Sequence, residues 1–217
     1  MIAELSLFDI IANATYFALA AVALWGLYCI VVVWNRVSQK RFKTEEEQDV
    51  FLDDLDQMLS SADFDGVLDY CEGDPRAVPQ MVEMSVNHRQ LGYKLARKTM
   101  LDRYQRDVMS DLEYRLSWIS TVIKSAPMIG LFGTVFGMMG AFAKLSAPGE
   151  EVDPAALAGN IQLALITTAS GLAIAIPLML VVANLNIRIA KMEDLVGSGI
   201  GRYLDSFKAA LARTGGR

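Results

Sequence analysis

Residues 126–142 read Ala-Pro-Met-Ile-Gly-Leu-Phe-Gly-Thr-Val-Phe-Gly-Met-Met-Gly-Ala-Phe, and no other stretch says as much about the fold. The run is apolar enough to lie in a bilayer but ill-suited to a lone helix. Gly130, Gly133, Gly137 and Gly140 recur at spacings of three, four and three, which lines them along one helical face. Each costs a helix about 1 kcal/mol relative to alanine. A row of them is useful where a second backbone has to come close. Thr134 is the one hydroxyl in the run, near its middle. The reading is a membrane helix made for tight packing, shaped by Pro127, with a single polar group at mid-depth.

A second row lies further along. Ala164, Thr168, Gly171 and Ala175 are spaced four, three and four in an apolar stretch that also holds Pro177. Counted from opposite membrane edges, Thr134 and Thr168 fall within roughly two helical turns of the same depth. Two hydroxyls at one level either line a narrow polar path or hydrogen-bond a partner's carboxylate; otherwise they bond back to the carbonyls of their own helices. Neither stretch has Asp, Glu or His in its middle, although an intramembrane ionisable group is the usual mark of a proton relay. Either the chain moves no protons, or a partner supplies the carboxylate.

The remainder of the 217 residues fits a small multi-span protein: hydrophobic content is 53% and mean hydropathy +0.30. Charged residues make up 21% of the chain and crowd into residues 36–116 and the last thirty. The net charge of −5 comes with no basic patch of the kind that nucleic acid needs. Cys29 in an apolar span and Cys71 in a charged region read as thiols, not as a disulfide framework. A first span covers residues 10–34, roughly 37 Å of helix against a ~30 Å hydrocarbon core. A cleaved leader is disfavoured, because Glu4 and Asp9 precede the span and no Lys or Arg does. Arg36, Lys40, Arg41 and Lys43 follow it, with Trp34 at the boundary, so the positive-inside rule puts residues 1–9 outside and 35–118 in the cytoplasm. Arg115, Trp118 and Lys124 mark the inner end of the second span, 119–145. A short outer loop, 146–154, carries Glu150, Glu151 and Asp153. The third span, 155–187, returns to Arg188 and Lys191, leaving 188–217 as a cytoplasmic helix and tail.

Within the cytoplasmic region, Glu45–Ser60 has amphipathic spacing. Asp63 is a candidate N-cap for a short helix to Cys71, and Asp74-Pro75 a further helix start. Val82–Tyr114 holds no proline and only Gly92, which predicts one long helix running into the second span. The tail Met192–Ala212 is expected to be helical, loosened at its start by Gly197, Gly199 and Gly201. The fold class is therefore an all-α membrane protein with three transmembrane helices, the second and third extending into a cytoplasmic helical bundle.

Residues 126–139 closely resemble the second-span signature of the MotA/TolQ/ExbB proton-channel family. Residues 163–177, Leu-Ala-Leu-Ile-Thr-Thr-Ala-Ser-Gly-Leu-Ala-Ile-Ala-Ile-Pro, resemble its third-span signature, and Asn184 fits the asparagine that often follows. Detail leans towards the ExbB/TolQ branch. The resemblance implies a bacterial inner-membrane subunit with a periplasmic N-terminus, a pentamer around two copies of an ExbD/TolR-like single-span partner bearing an intramembrane Asp. It implies that Thr134 and Thr168 match the family's pore-facing threonines, and that both small-residue rows, Gly130, Gly133, Gly137 and Gly140 with Ala164, Gly171 and Ala175, let helices approach that partner. Ion flow would then drive rotation of one component within the other, with no cofactor and no metal. One departure stands out: Leu163 occupies a position where the ExbB/TolQ pattern usually has Glu.

Other classes make different demands. A non-conducting scaffold would need the glycine packing but not the threonines. A self-sufficient channel would want a charge or a broken helix at mid-membrane, and Pro177 stands past the midpoint with no charge beside it. For an enzyme, His88 is the sole histidine, on a helix face more in keeping with a solvated or packed side chain. The acidic run Glu45–Asp56 suggests metal binding less than the wet face of an amphipathic helix.

Overall fold

A computed structural model of the chain describes residues 7–145 and 154–214. The N-terminal six residues, the outer loop acids Glu150, Glu151 and Asp153, and the last three residues lie outside the described residues. The described elements are helical: α1 (Leu7–Lys40), α2 (Glu45–Ser60), α3 (Phe64–Cys71), α4 (Ala77–Asn87), α5 (Tyr93–Arg103), α6 (Ser110–Leu145) and α7 (Pro154–Thr214). Three of the helices are long and apolar enough to cross a membrane, and the protein is an all-α membrane protein.

The chain forms two compact units. One comprises α1 as far as Val31 with Leu116–Ala183; the other comprises Val32–Arg115 with Asn184–Arg217. In the first, the buried positions are largely small or slender: Ala126, Ala141, Ala164, Ala175, Val122 and Ile119. Large apolar side chains such as Phe17, Met128, Phe132 and Leu180 are exposed. A water-soluble bundle has the opposite arrangement, whereas in lipid small residues let helices meet and large ones face the apolar solvent. Gly26 of α1 marks one meeting point, since a Cβ there would lie 2.9 Å from Val122 Cγ1 and 3.1 Å from Leu178 Cδ1. Trp25 and Trp118 meet edge to face beside it, at 6.2 Å.

The second unit has an ordinary hydrophobic core, with Phe42, Leu52, Leu55, Val82, Met100, Tyr203 and Phe207 buried. Thr44 caps α2 by accepting from the Glu47 amide, and the Glu47 carboxylate reaches back to the Lys43 amide, a variant of the capping box. Asp63 caps α3 through the Gly66 amide at 3.0 Å, as its place in the sequence suggests. The next helix starts slightly later than the Asp74-Pro75 pair indicates, at Ala77, because the Asp74 carboxylate closes a turn onto the Arg76 amide.

Two sequence expectations need correction. Val82–Tyr114 is not one helix. α4 ends at Asn87, a 3-10 turn spans Arg89–Leu91, and Gly92 (φ +84°, ψ 157°) resets the chain before α5. Such a positive φ is open to glycine and strained for other residues. From Tyr93 the helix does run on to Leu145, through a wide π turn at Tyr104–Met109 where the Ser110 hydroxyl donates to Gln105 O, five residues back. Nor do Gly197, Gly199 and Gly201 loosen α7, which is continuous from Pro154 to Thr214. Gly199 instead makes room for Gln48, whose Nε2 donates to Leu195 O at 2.7 Å. Pro127 and Pro177 also lie inside continuous helices; each removes one backbone donor without ending its helix.

Candidate functional site: a threonine cluster between two helices

The glycine rows bring α6 and α7 together. A Cβ on Gly130 would stand 2.6 Å from Thr167 O and 2.9 Å from Thr168 Cα; on Gly137, 2.7 Å from Ala164 Cβ; on Gly171, 2.5 Å from Ala126 O. As numbers rise along α6 they fall along α7, so the pair is antiparallel. A Cβ on Gly133 would lie 2.8 Å from Thr167 Oγ1 and 2.8 Å from Thr15 Cγ2 of α1. Gly140, Ala164 and Ala175 are buried as well. The close contacts at Gly130, Gly133, Gly137 and Gly171 are made within this chain. The backbone or side chain that a methyl group would strike belongs to this chain.

At this seam the structure brings Thr134 and Thr168 together, their hydroxyl oxygens 2.5 Å apart. It also adds a residue that spacing alone did not single out. Thr167 is 2% exposed and Thr134 6%, whereas Thr168 is half-buried. Thr134 Oγ1 is 2.9 Å from Ala164 O and 3.2 Å from Gly130 O; Thr167 Oγ1 is 2.9 Å from Gly130 O and 2.7 Å from Ala164 O. A hydroxyl has one proton and two lone pairs. If Thr134 donates to Ala164 O and Thr167 to Gly130 O, each helix satisfies a carbonyl of the other. Thr168 then donates to Thr134 Oγ1 and keeps its own lone pairs open. With the Thr134 rotor turned, the Thr134–Thr168 bond reverses and Thr168 has a proton to give. The cluster can therefore accept a hydrogen bond from a protonated carboxyl or donate one to a carboxylate, through the one hydroxyl that is only half-buried.

α1 closes another side. Buried Thr15 donates to Ile11 O at 2.9 Å, its methyl group against Gly133, and the Tyr16 phenol donates to Leu163 O at 3.1 Å. The Leu163 side chain is 59% exposed, so position 163 contributes a carbonyl to this contact and no charge. Neither Thr15 nor Tyr16 was legible as a partner of α6 and α7, since the register of α1 against them follows from packing. Residues 125–143 and 154–187 contain no Asp, Glu, His, Lys or Arg. No cluster of His, Cys, Asp and Glu suited to a metal occurs among the described residues, and neither Cys29 nor Cys71 is in a disulfide.

Residues 80–197, which include this seam, match the model of the MotA/TolQ/ExbB proton channel family. The chain belongs to that family. Among its relatives are the Tol-Pal system protein TolQ of Haemophilus influenzae, 37% identical over 105 residues (48% of this chain and 44% of that protein), and that of Pseudomonas aeruginosa, 38% identical over 102 residues (47% and 42%). The biopolymer transport protein ExbB of Xanthomonas campestris is 39% identical over 92 residues (40% and 36%). The matches span less than half the length of these relatives. The threonine seam lies inside the matched region.

Proposed function

We propose that the chain is the channel subunit of an ion motive force-driven motor of the inner membrane, with its N-terminus periplasmic and its C-terminus cytoplasmic. Several copies, five by the family resemblance, surround two copies of an ExbD/TolR-like single-span partner. The partner brings an Asp to the level of Thr134 and Thr168, which hand a proton or hydrogen bond to and from that carboxyl as ions move. The observation that carries this reading is the hydroxyl relay itself: Thr168, the outermost of three linked threonines, has free capacity in a stretch of chain with no charge of its own. An uncharged relay needs an external carboxylate to move ions, and a half-buried hydroxyl is where one would dock.

The same hydrogen bonds favour a second reading. Thr134 and Thr167 each bond the facing helix, and such intramembrane bonds contribute about 0.6 kcal/mol on average, up to roughly 1.7. They are sufficient reason for a non-conducting scaffold to keep them. Thr168→Ala separates the two, because it removes the outermost hydroxyl with its bond to Thr134 and leaves in place the bonds of Thr134 and Thr167 to the facing carbonyls. In vesicles holding the co-expressed complex, the motor reading expects ion flux to fall at least about tenfold, Thr168→Ser to keep most of it, and the native mass to stay unchanged. Undiminished flux in Thr168→Ala, or none in the parent complex, would sink the motor reading in favour of the scaffold.

A further inference from the structure

Several arginines of the second unit are ion-paired. Arg76 bonds Asp74 and Glu47, Arg202 reaches Asp49, Asp53 and Asp56, and Arg36 and Arg115 share Asp111. Arg41, Lys43 and Lys191 differ: none of them is in an ion pair among the described residues. All three line one groove of about 490 Å³, where α7 passes the start of α2. Thr44 lines it too. As the cap of α2 its oxygen accepts from the Glu47 amide, so its own proton is left to point elsewhere. Glu45 and Asp194 complete the charged lining. Three cations less two carboxylates leave a formal charge of +1, suited to a single negative charge and too little for a polyanion.

Depth narrows the occupant. Arg188 stacks on Trp34, its guanidinium carbon 4.0 Å from the ring centroid, and an aromatic of this kind sits at the membrane–water boundary. Lys191 lies three residues past Arg188, about 4.5 Å along the helix, and Arg41 seven past Trp34, roughly 10 Å. The headgroup layer outside a ~30 Å hydrocarbon core is about 5–8 Å deep on each side. Lys191 therefore lies within the headgroup layer and Arg41 just beyond it, so the long side chains of the groove reach lipid phosphates. We propose that it holds the headgroup of a membrane phospholipid, the phosphodiester bonded by Arg41, Lys43, Lys191 and the Thr44 hydroxyl. The inference needs only that the apolar helices cross a bilayer; it is independent of the ion-motor reading, and flux measurements do not bear on it.

The test uses the full chain, extracted in detergent and stripped of lipid, with dioleoyl phosphatidylglycerol added and bound lipid counted by native mass spectrometry. Parent protein should hold the lipid. Arg41→Gln/Lys191→Gln should lower occupancy about tenfold, as expected when charge-assisted hydrogen bonds are lost. Lys98→Gln, which alters an unpaired cation on α5, should leave it unchanged. Millimolar glycerol 3-phosphate should not compete; if it displaces the lipid, the groove is a site for soluble phosphates and the lipid assignment falls. Equal occupancy in the double variant and the parent overturns the proposal outright. Should the double variant lose helicity, Lys43→Gln decides, because that exposed side chain is in no ion pair among the described residues: reduced occupancy supports the headgroup site and unchanged occupancy removes it.

Discussion

Arg76 is held from three directions. It donates to both Asp74 oxygens through Nε, at 3.0 and 2.9 Å, donates to Glu47 at 2.8 Å, and lies 3.9 Å from the Phe42 ring centroid. Burial works against the Asp74 carboxylate, but the hydrogen bonds and charge of Arg76 outweigh it and hold the Asp74 pKa below the ordinary value. A depressed carboxylate pKa stabilises the fold above the unfolded pKa, about 3.9 for Asp. That contribution is lost as pH falls below this and through the folded value. The full chain in detergent should therefore melt at lower temperature as pH drops from 5 to 3, and Asp74→Asn should flatten that slope. Arg76→Ala should cost about 2–3 kcal/mol at neutral pH, since it removes a stacked cation and leaves a half-buried carboxylate with fewer donors. Cys71 shifts the other way: burial first, then Asp74 and Glu83, push its thiol up to about 12. In a Cys29→Ala background it should resist maleimide at pH 8 and react once the protein is unfolded, whereas fast labelling of the native protein would contradict its burial. None of this was legible in the sequence, because Arg76 and Glu47 are joined by tertiary packing. Thr167 escaped notice for a related reason. It sits about 100° from Thr168 on the helix, and only the position of α6 reveals that it is the more buried of the two.

At the scale of helices, the glycines divide into those that meet a neighbour and those that do not, which spacing alone did not separate. The rows at 130–140 and 164–175 were legible, because a 3.6-residue repeat of small residues projects onto one face and that face must meet something. Which helix it meets was not, since a close backbone approach is equally served by another chain. Gly197 and Gly201 show the limit of counting glycines: a Cβ at either meets nothing within 4 Å. Gly130→Ala and Gly197→Ala should therefore have opposite signs. The first gains about 1 kcal/mol of helix propensity but drives a methyl group into the Thr167 carbonyl, at an overpacking cost of typically 1–3 kcal/mol or more for a rigid neighbour. The second keeps the propensity gain. Thermal melting of the two variants in the same detergent should place Gly130→Ala below the parent and Gly197→Ala at or above it. Gly92 is the case in which a signal was present and underweighted. It was the lone glycine in Val82–Tyr114, and the break there follows from a backbone angle that no helical periodicity reports.

At the scale of the whole molecule, the composition of the first unit determines what it needs from outside. Its large apolar side chains face outward and its small ones inward, so lipid or further protein has to cover it. Thr134, Thr167 and Thr168 are linked to one another, and of the three only Thr168 is half-buried. No charged residue lies in 125–143 or 154–187, and an uncharged hydroxyl pair cannot by itself hold a proton against a membrane potential. A proton route must borrow a titrating group, and in the proposed motor it does so at the level of Thr168. In the proposed motor, that group is the carboxylate of the single-span partner. Replacing the intramembrane Asp of a co-purifying single-span partner by Asn keeps its volume and its hydrogen bonding but removes its titration. The complex should keep its native mass, because the seam between α6 and α7 is internal to this chain, while ion flux should fall to the level of Thr168→Ala or below. Combining the two substitutions should add little further loss, since groups that act as one unit are strongly non-additive. Flux that survived the Asn substitution would mean that ions bypass the carboxylate. The threonine cluster would then be left as the bond that holds two helices together.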